Sequence, residues 1–498
     1  MKQRLHIVMA ASEAVPYAKT GGLADVTGAL PQELAKLGHD VILLLPKYRS
    51  VADSGRRFRS IARLPIATAE GTEESEIEED VIQTGFGDST VRVWTCRHDR
   101  FFDRSGLYQE HGADYPDNLN RFAWFSRAVI EVMAYLAGER AWQTDVLHVH
   151  DWQTALCAVY LKTVDRHRSE IQNVKTVLTL HNVGYQGIFP GIQFTGTGLP
   201  SELFSPAGLE FYDSVNLLKG GIIFTDRITT VSPSYAREIL SPEFGFGLEG
   251  VLRNRQDQLY GILNGIDSER WNPATDPFLA ANYSADEREG KGACKLALQR
   301  EFSLPEIPVP VFAVIARLSS QKGLDLLEAI IPKFLSYDVQ LIVLGTGDPA
   351  HETAFREAQK RYPDRMGLYI GFDEKLAHRI EGGADMFIMP SRYEPCGLSQ
   401  MYSLRYGTVP VVTKTGGLAD TVIPFNQKAK SSPKANGFHL ASATSESLLA
   451  ALLEAAEVYR TKEIWNRVID AGMRADVSWA RSARFYEDLF LKLVGEEG

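Results

Sequence analysis

The sequence predicts an α/β protein built from two doubly wound parallel sheets. Three features carry the prediction. Short apolar runs alternate with helical patterns along both halves of the chain. A loop-like stretch at 261–284 interrupts that alternation once. The heptapeptide Lys-Thr-Gly-Gly-Leu-Ala-Asp occurs twice, at residues 19–25 and 414–420, each time after an apolar run and before a helical pattern. A chain of 498 residues exceeds what one core supports, so two or three domains follow. The flanks of the heptapeptide do not repeat, which excludes a tandem array. The pairing instead suggests one glycine-rich turn per domain, both serving a shared ligand.

Residues 5–12 read as a buried strand, 24–37 as a helix that stops at Gly38, and 41–46 as a second buried strand. Strand, helix and strand within fewer than about fifty residues make a βαβ unit, which dictates parallel pairing. Further strands are expected at 91–96, 146–149, 174–180 and 227–231, with helices between most of them. Gly265, Pro273 and Pro277 mark the break. After it come a strand at 311–317, a helix at 323–336 and a strand at 340–345. Three more strands follow at 367–371, 386–390 and 409–413, with helices at 375–380 and 398–406. Residues 445–460 are amphipathic, and 479–494 form a helix rich in aromatic and leucine residues. The expected domains are 1–262 and 263–475, with a C-terminal helix at 476–498 that could pack back on either, the first being the expectation. Residues 428–435, rich in Lys, Ser and Pro, are the expected mobile surface loop.

Composition narrows the class. Lys plus Arg is 53 against 63 Asp plus Glu, a formal net charge of -10 without any basic block, which argues against a nucleic-acid partner. No apolar run has membrane-spanning length. The chain passes from Met-Lys-Gln-Arg straight into residues 5–12, too short for a signal h-region. The four cysteines, Cys96, Cys157, Cys294 and Cys396, are scattered. Neither a disulfide framework nor a zinc site is indicated. The expected compartment is a reducing cytoplasm.

In open parallel sheets ligands bind beyond the carboxyl ends of strands, and seven polar or glycine-rich segments fall there. Lys19-Thr20-Gly21-Gly22 offers close backbone approach, helix N-terminal N–H groups and a positive charge. It is either a phosphate or sugar contact or a plain turn, and it matches neither dinucleotide nor P-loop patterns. Lys414-Thr415-Gly416-Gly417 has the same logic. Arg317 and Lys322, five residues apart at a strand end with a helix beginning at Gly323, make a diphosphate-sized electropositive site or a pair of surface cations. Glu394, in Arg392-Tyr393-Glu394-Pro395-Cys396-Gly397, is an oriented acceptor for sugar hydroxyls or a helix-start carboxylate. His148, His150 and Asp151 form a weak metal pattern, with Asp151 equally suited to accept a hydroxyl. His181-Asn182 sits at a strand exit, and Asn264-Gly265 at the break is a turn or a hinge that touches ligand. No Asp-x-Asp pair occurs, so a departing diphosphate would be stabilised by protein cations and helix ends.

Taken together, Lys19–Asp25, His150-Asp151-Trp152, His181-Asn182, Asn264-Gly265, Arg317…Lys322 and Glu394-Pro395-Cys396-Gly397 resemble the motif set of bacterial glycogen synthases and plant starch synthases, from about residue 5 to about 490. The resemblance implies the GT-B arrangement, two Rossmann-like domains facing each other across a cleft. It also implies transfer of glucose from ADP-glucose to the non-reducing end of an α-1,4-glucan, with retention and with no metal or cofactor. It assigns Lys19, Gly21 and Gly22 to the donor, and Arg317 and Lys322 to the phosphates. Glu394 goes to the glucosyl 3- and 4-hydroxyls, His181 to the 6-hydroxyl, and Asp151 lies near the reacting carbon. Asn182, Asn264, Cys396, Gly397 and Thr415 complete the donor set, and Gly416 and Gly417 supply amides. Tyr108, Tyr115 and Asn118 touch the acceptor. A related family carries a second glutamate eight residues past the first; here that position is Tyr402, which favours the glycogen synthase branch. The alternatives are another retaining GT-B transferase using UDP-glucose, or a glucan-binding protein without activity.

Overall fold

The structure, a computed structural model, describes residues 3–425 and 432–496. The first four residues of the 428–435 loop therefore lie outside the described residues. The chain divides into two compact units, Met1–Asn264 with Trp479–Gly498, and Gly265–Ser478.

The first unit holds a nine-stranded sheet. Its strands in chain order are β1 (His6–Ala10), β2 (Asp40–Pro46), β3 (Arg59–Thr68), β4 (Gly71–Gln83), β5 (Thr90–Cys96), β6 (Val146–His150), β7 (Lys175–Leu180), β8 (Arg227–Thr230) and β9 (Leu259–Gly261). Across the sheet they run β9-β8-β7-β6-β1-β2-β5-β4-β3. All pairings from β9 to β5 are parallel, and only the β5-β4-β3 edge is antiparallel. The parallel strands are the apolar runs of the sequence. Ile7, Val8, Met9 and Ala10 are all fully buried, as a strand covered on both faces requires. The antiparallel edge has no counterpart in the sequence reading. β4 is Gly-Thr-Glu-Glu-Ser-Glu-Ile-Glu-Glu-Asp-Val-Ile-Gln, in which Ser75 and Ile77 are fully buried. An edge hairpin wetted on one face needs so few apolar residues that acidic side chains hide its alternation.

Helix α1 (Gly22–Lys36) lies between β1 and β2, and the long helix α2 (Asn118–Glu139) packs its Leu119, Phe122, Phe125 and Val129 inward.

The second unit holds β10 (Val311–Ile315), β11 (Gln340–Gly345), β12 (Met366–Ile370), β13 (Met386–Met389), β14 (Val409–Val412) and β15 (Phe438–His439). Their order is β12-β11-β10-β13-β14-β15, parallel throughout. Side-chain alternation divides each strand between two cores. Phe312, Val314, Leu341 and Val343 join one cluster with Leu327, Ile331 and Leu452. Val311, Ala313, Ile342 and Leu344 join the other with Leu298, Leu376 and Leu418. Helices α3 (Leu324–Phe334), α4 (Ser399–Arg405) and α5 (Gly416–Thr421) follow β10, β13 and β14.

The last helix, α6 (Trp479–Gly495), returns to the first unit and lies against α1. A buried polar link fixes it there. The Leu5 N–H donates to His39 Nδ1 at 3.1 Å, which leaves the proton on Nε2 to be donated to Glu487 Oε1 at 2.9 Å. Both side chains are buried, 1% and 4% exposed. Removing one partner of such a buried link leaves the other without its bond, at a cost of about 3 kcal/mol. His39→Ala is expected to lower the melting temperature. In hydrogen exchange it should expose residues 479–495 before any β-strand; unchanged protection of that helix would refute the link.

Candidate active site

Strand order reverses once in each sheet. In the first unit the reversal falls between β1 and β6, in the second between β10 and β13. Loops leaving the carboxyl ends of the two strands at such a point diverge to opposite faces and leave a crevice. The loops in question are residues 11–21 after β1, the His150-Asp151-Trp152 turn after β6, residues 316–323 after β10 and 390–398 after β13. Lys19, Gly21, Asp151, Arg317, Lys322, Glu394, Cys396 and Gly397 stand on these four loops, whereas His181, Asn182, Asn264, Thr415, Gly416 and Gly417 follow other strands.

In the first unit, the Lys19 ammonium pairs with Asp25 Oδ1 at 2.7 Å and stays half exposed. Thr20 and Gly21 are held by a residue the sequence did not single out. Glu13, buried on the β1 loop, accepts from Thr20 N, from Gly21 N at 3.2 Å, from Thr20 Oγ1 at 2.6 Å and from the Tyr108 hydroxyl at 2.6 Å. A methyl group added at Gly21 or Gly22 would meet no atom within 4 Å. These two glycines border open space, the condition for close approach of a ligand to backbone.

Asp151 opens the turn after β6 in a left-handed conformation, φ 54, a strain of the kind held only where surroundings over-determine it. Its Oδ1 accepts the His181 N–H at 2.7 Å. Burial pushes its carboxyl up to about 7, the backbone N–H groups of His181 and Asn182 work against that, and the nearby Glu13 charge adds to it. His150 Nδ1 and His181 Nε2 lie 3.0 Å apart, so one ring donates to the other. Burial holds His181 down to about 3 and His150 well below its ordinary value, so both are neutral. His148 points elsewhere, into a buried hydroxyl chain through Thr179 and Thr229. Among the described residues no group of three or more His, Cys, Asp and Glu is placed to hold a metal ion. Asn264 is 6% exposed, and its side-chain oxygen has no hydrogen-bond partner among the described residues. Asn182 caps its own turn, accepting from Gly184 N at 2.9 Å.

In the second unit, Lys322 Nζ meets Glu394 Oε2 at 2.6 Å across the reversal of strand order, and Ser391 Oγ donates to the same oxygen at 3.0 Å. The other Glu394 oxygen carries no hydrogen bond among the described residues, and Arg317 is exposed without a side-chain partner among them. Gly323, φ 64, sits so close to the Pro390 carbonyl that a Cβ would lie 2.1 Å from its oxygen. The two loops are therefore packed backbone to backbone, and the ion pair is fixed by that contact. Cys396 is buried, and Gly397, φ 71, takes the left-handed turn before α4.

Here the two copies of the heptapeptide part company. A Cβ at Gly416 would stand 2.0 Å from the Glu394 carbonyl oxygen, and one at Gly417 2.0 Å from that of Cys396. The Gly417 N–H donates to the carbonyls of Glu394 and Pro395, both at 3.1 Å. The amide expected to face a ligand from Gly417 is thus occupied in bracing the Glu394 loop. Thr415 and Gly416 are buried in the same turn, and Gly416 lies against that loop. The acceptor trio divides too. Asn118 donates to the Tyr108 carbonyl and accepts from Arg121, and the Tyr115 hydroxyl accepts from Gly106 N. Those two side chains are engaged inside the fold; the Tyr108 hydroxyl alone of the three reaches the β1 loop, through Ser12 and Glu13.

A family model described as the starch synthase catalytic domain matches residues 6–254, and one for glycosyl transferases group 1 matches 299–467. A glycogen synthase of Anaeromyxobacter dehalogenans (strain 2CP-C) is 44% identical over 98% of this chain and 100% of its own length. The chain belongs to the glycogen and starch synthase family of glycosyltransferases. Glycogen synthase 2 of Nitrosococcus oceani is 43% identical over 99% of this chain and 98% of its own. The catalytic domain of starch synthase IV from Arabidopsis thaliana, solved bound to ADP and acarbose, superposes with a TM-score of 0.88 at 33% identity, covering 99% of this chain and all of that one. A sucrose-phosphate synthase from Thermosynechococcus elongatus, at 17% identity and a TM-score of 0.57, shares the fold. That fold is GT-B. Among the described residues no helix is long and apolar enough to cross a membrane.

Two measurements follow. Gly417→Ala forces a methyl group into the Cys396 carbonyl and should cost about 1–3 kcal/mol of unfolding free energy, whereas Gly22→Ala should leave it within about 1 kcal/mol of the parent; equal effects would refute the division between the copies. Asp151 is raised on folding, so the stability it contributes is full below the ordinary carboxylate range and lost as pH rises through about 7. Asp151→Asn should therefore gain stability relative to the parent between pH 4 and 8; parallel curves would show that the carboxyl is not raised.

Proposed function

We propose that this protein transfers glucose from ADP-glucose to the non-reducing end of an α-1,4-glucan with retention of configuration, elongating glycogen. The observation that carries the reading is the Lys322–Glu394 pair at the reversal of strand order in the second unit, with Arg317 exposed on the Lys322 loop and without a side-chain partner among the described residues. Two cations at a helix start suit a diphosphate. A carboxylate with one oxygen fixed and the other unbonded suits a pair of sugar hydroxyls. The solved starch synthase IV relative, bound to ADP and acarbose, supports a nucleoside diphosphate and a glucan-like ligand for this family.

In the proposed reaction the bond from glucose C1 to the ADP β-phosphate oxygen breaks as a bond forms from C1 to the acceptor's 4-hydroxyl oxygen on the same face. The acceptor proton passes to the departing phosphate oxygen. Negative charge grows on that phosphate, where Arg317 and Lys322 strengthen their bonds to it. Positive character grows at C1, where an ionised Asp151 is suitably charged. Interactions that strengthen in the transition state raise kcat. Neutral His181 donates to or accepts from a sugar hydroxyl without adding charge. Lys19, released from Asp25, serves the donor, and Asn264 offers its unpartnered oxygen to the donor sugar. The glucan acceptor would meet the Tyr108 side of the first unit. The proposed compartment is a reducing cytoplasm, which the four free cysteines suit.

An assay with ADP-glucose and UDP-glucose in parallel, glycogen as acceptor, should show incorporation chiefly from ADP-glucose; equal or greater use of UDP-glucose would overturn the donor assignment. Lys322→Ala should lower kcat by about 10- to 100-fold, the worth of one charge-assisted bond, with little change in glucan affinity. An unchanged kcat with only a raised donor KM would refute the role of Lys322 at the leaving phosphate.

A further inference from the structure

Glu13 does the most hydrogen bonding of any side chain in the first half-site. It is 3% exposed. An ionised carboxylate has about four lone-pair sites, and all four are filled: Thr20 N and Gly21 N on Oε2, Thr20 Oγ1 and the Tyr108 hydroxyl on Oε1. Ser12 Oγ lies 2.7 Å from the same Tyr108 hydroxyl, which continues the chain to the end of β1. No site remains on Glu13 for a substrate. We propose that Glu13 is a positioning residue for glucosyl transfer, fixing the turn that carries Lys19 and joining that turn to Tyr108. The proposal rests on the reading of Lys19 and Asp151 as site residues.

The turn needs such a clamp. Gly21, at the N-terminus of α1, has no side chain to cap the helix, and with Gly22 it borders open space. A Gly-Gly turn loses the most backbone freedom on ordering. The second heptapeptide copy solves the same problem with carbonyls of the Glu394 loop pressed against its glycines. The first copy keeps its glycines clear, so its order comes from a carboxylate behind the turn. The groups facing Asp151 are Glu13 from the β1 loop and the His181 and Asn182 N–H groups from the β7 exit, with the neutral rings of His150 and His181 adjoining. Glu13 alone among these brings a negative charge.

The test is steady-state kinetics on the full chain with ADP-glucose and glycogen from pH 5 to 9. Glu13→Gln keeps the size but offers one oxygen where two are needed; each charge-assisted bond lost is worth about tenfold or more. The donor KM should rise at least about tenfold, and the inflection in kcat/KM that Asp151 is expected to produce should move to lower pH as the Glu13 charge disappears. Glu13→Asp keeps the charge on a shorter arm, so it should restore the inflection and not the KM. A donor KM within about twofold of the parent, or an inflection that Glu13→Gln leaves in place, overturns the proposal. If Glu13→Gln does not fold, Tyr108→Phe removes one of the four donors and leaves the charge; it should raise the donor KM by a smaller factor at an unmoved inflection, and no rise overturns the clamp. Lys19→Ala separates the failures. If it raises the donor KM and Glu13→Gln does not, the Glu13 role alone falls; if neither does, the reading of this half-site falls with it.

Discussion

Both halves of this chain depend on a single constraint of parallel sheets, the reversal of strand order. Right-handed crossovers carry successive strands outward in one direction, then in the other, and the two loops at the point of departure cannot cover the same face. The crevice is a by-product of winding. What the sequence adds is the side chains that stand in it. Lys322 and Glu394 are seventy-two positions apart and belong to loops after neighbouring strands, so their 2.6 Å contact follows directly from β10 lying beside β13. Glu13 on the loop after β1 and Asp151 after β6 are likewise brought to one end of the sheet by β1 lying beside β6.

Much of the fold was legible because buried parallel strands are nearly pure apolar runs. Residues 340–345 and the helix at 445–460 have the bounds read from the sequence, and most of the other expected strands end within a residue or two. The edge hairpin of β3 and β4 was not legible, since five glutamates in residues 73–79 fall on both faces of the strand and leave one buried isoleucine as its only apolar mark there. Strand pairing was invisible for a different reason: order across a sheet is a long-range property, while hydrophobic period is a local one.

The candidate site was legible where a residue's type already suggested its chemistry. Arg317, Lys322, Glu394 and Asp151 are charged groups at strand ends, and charge there asks for an explanation. Glu13 escaped because its partners are backbone N–H groups and two hydroxyls, which no spacing rule announces. The repeated heptapeptide shows the opposite limit. Seven identical residues invite identical roles, yet Gly21 faces space and Gly417 faces the Cys396 carbonyl. Identity of sequence fixed the turn; neighbours decided whether the missing side chain leaves room for a ligand or for the protein's own backbone.

The return of α6 to the first unit has a bearing on how the chain comes into being. His39 is made early and Glu487 some 448 positions later, with the whole of Gly265–Ser478 between. During synthesis the second unit therefore emerges complete, with both of its cores, while the first still lacks the helix that satisfies its buried histidine. The first unit is therefore completed only after the whole of the second has been made.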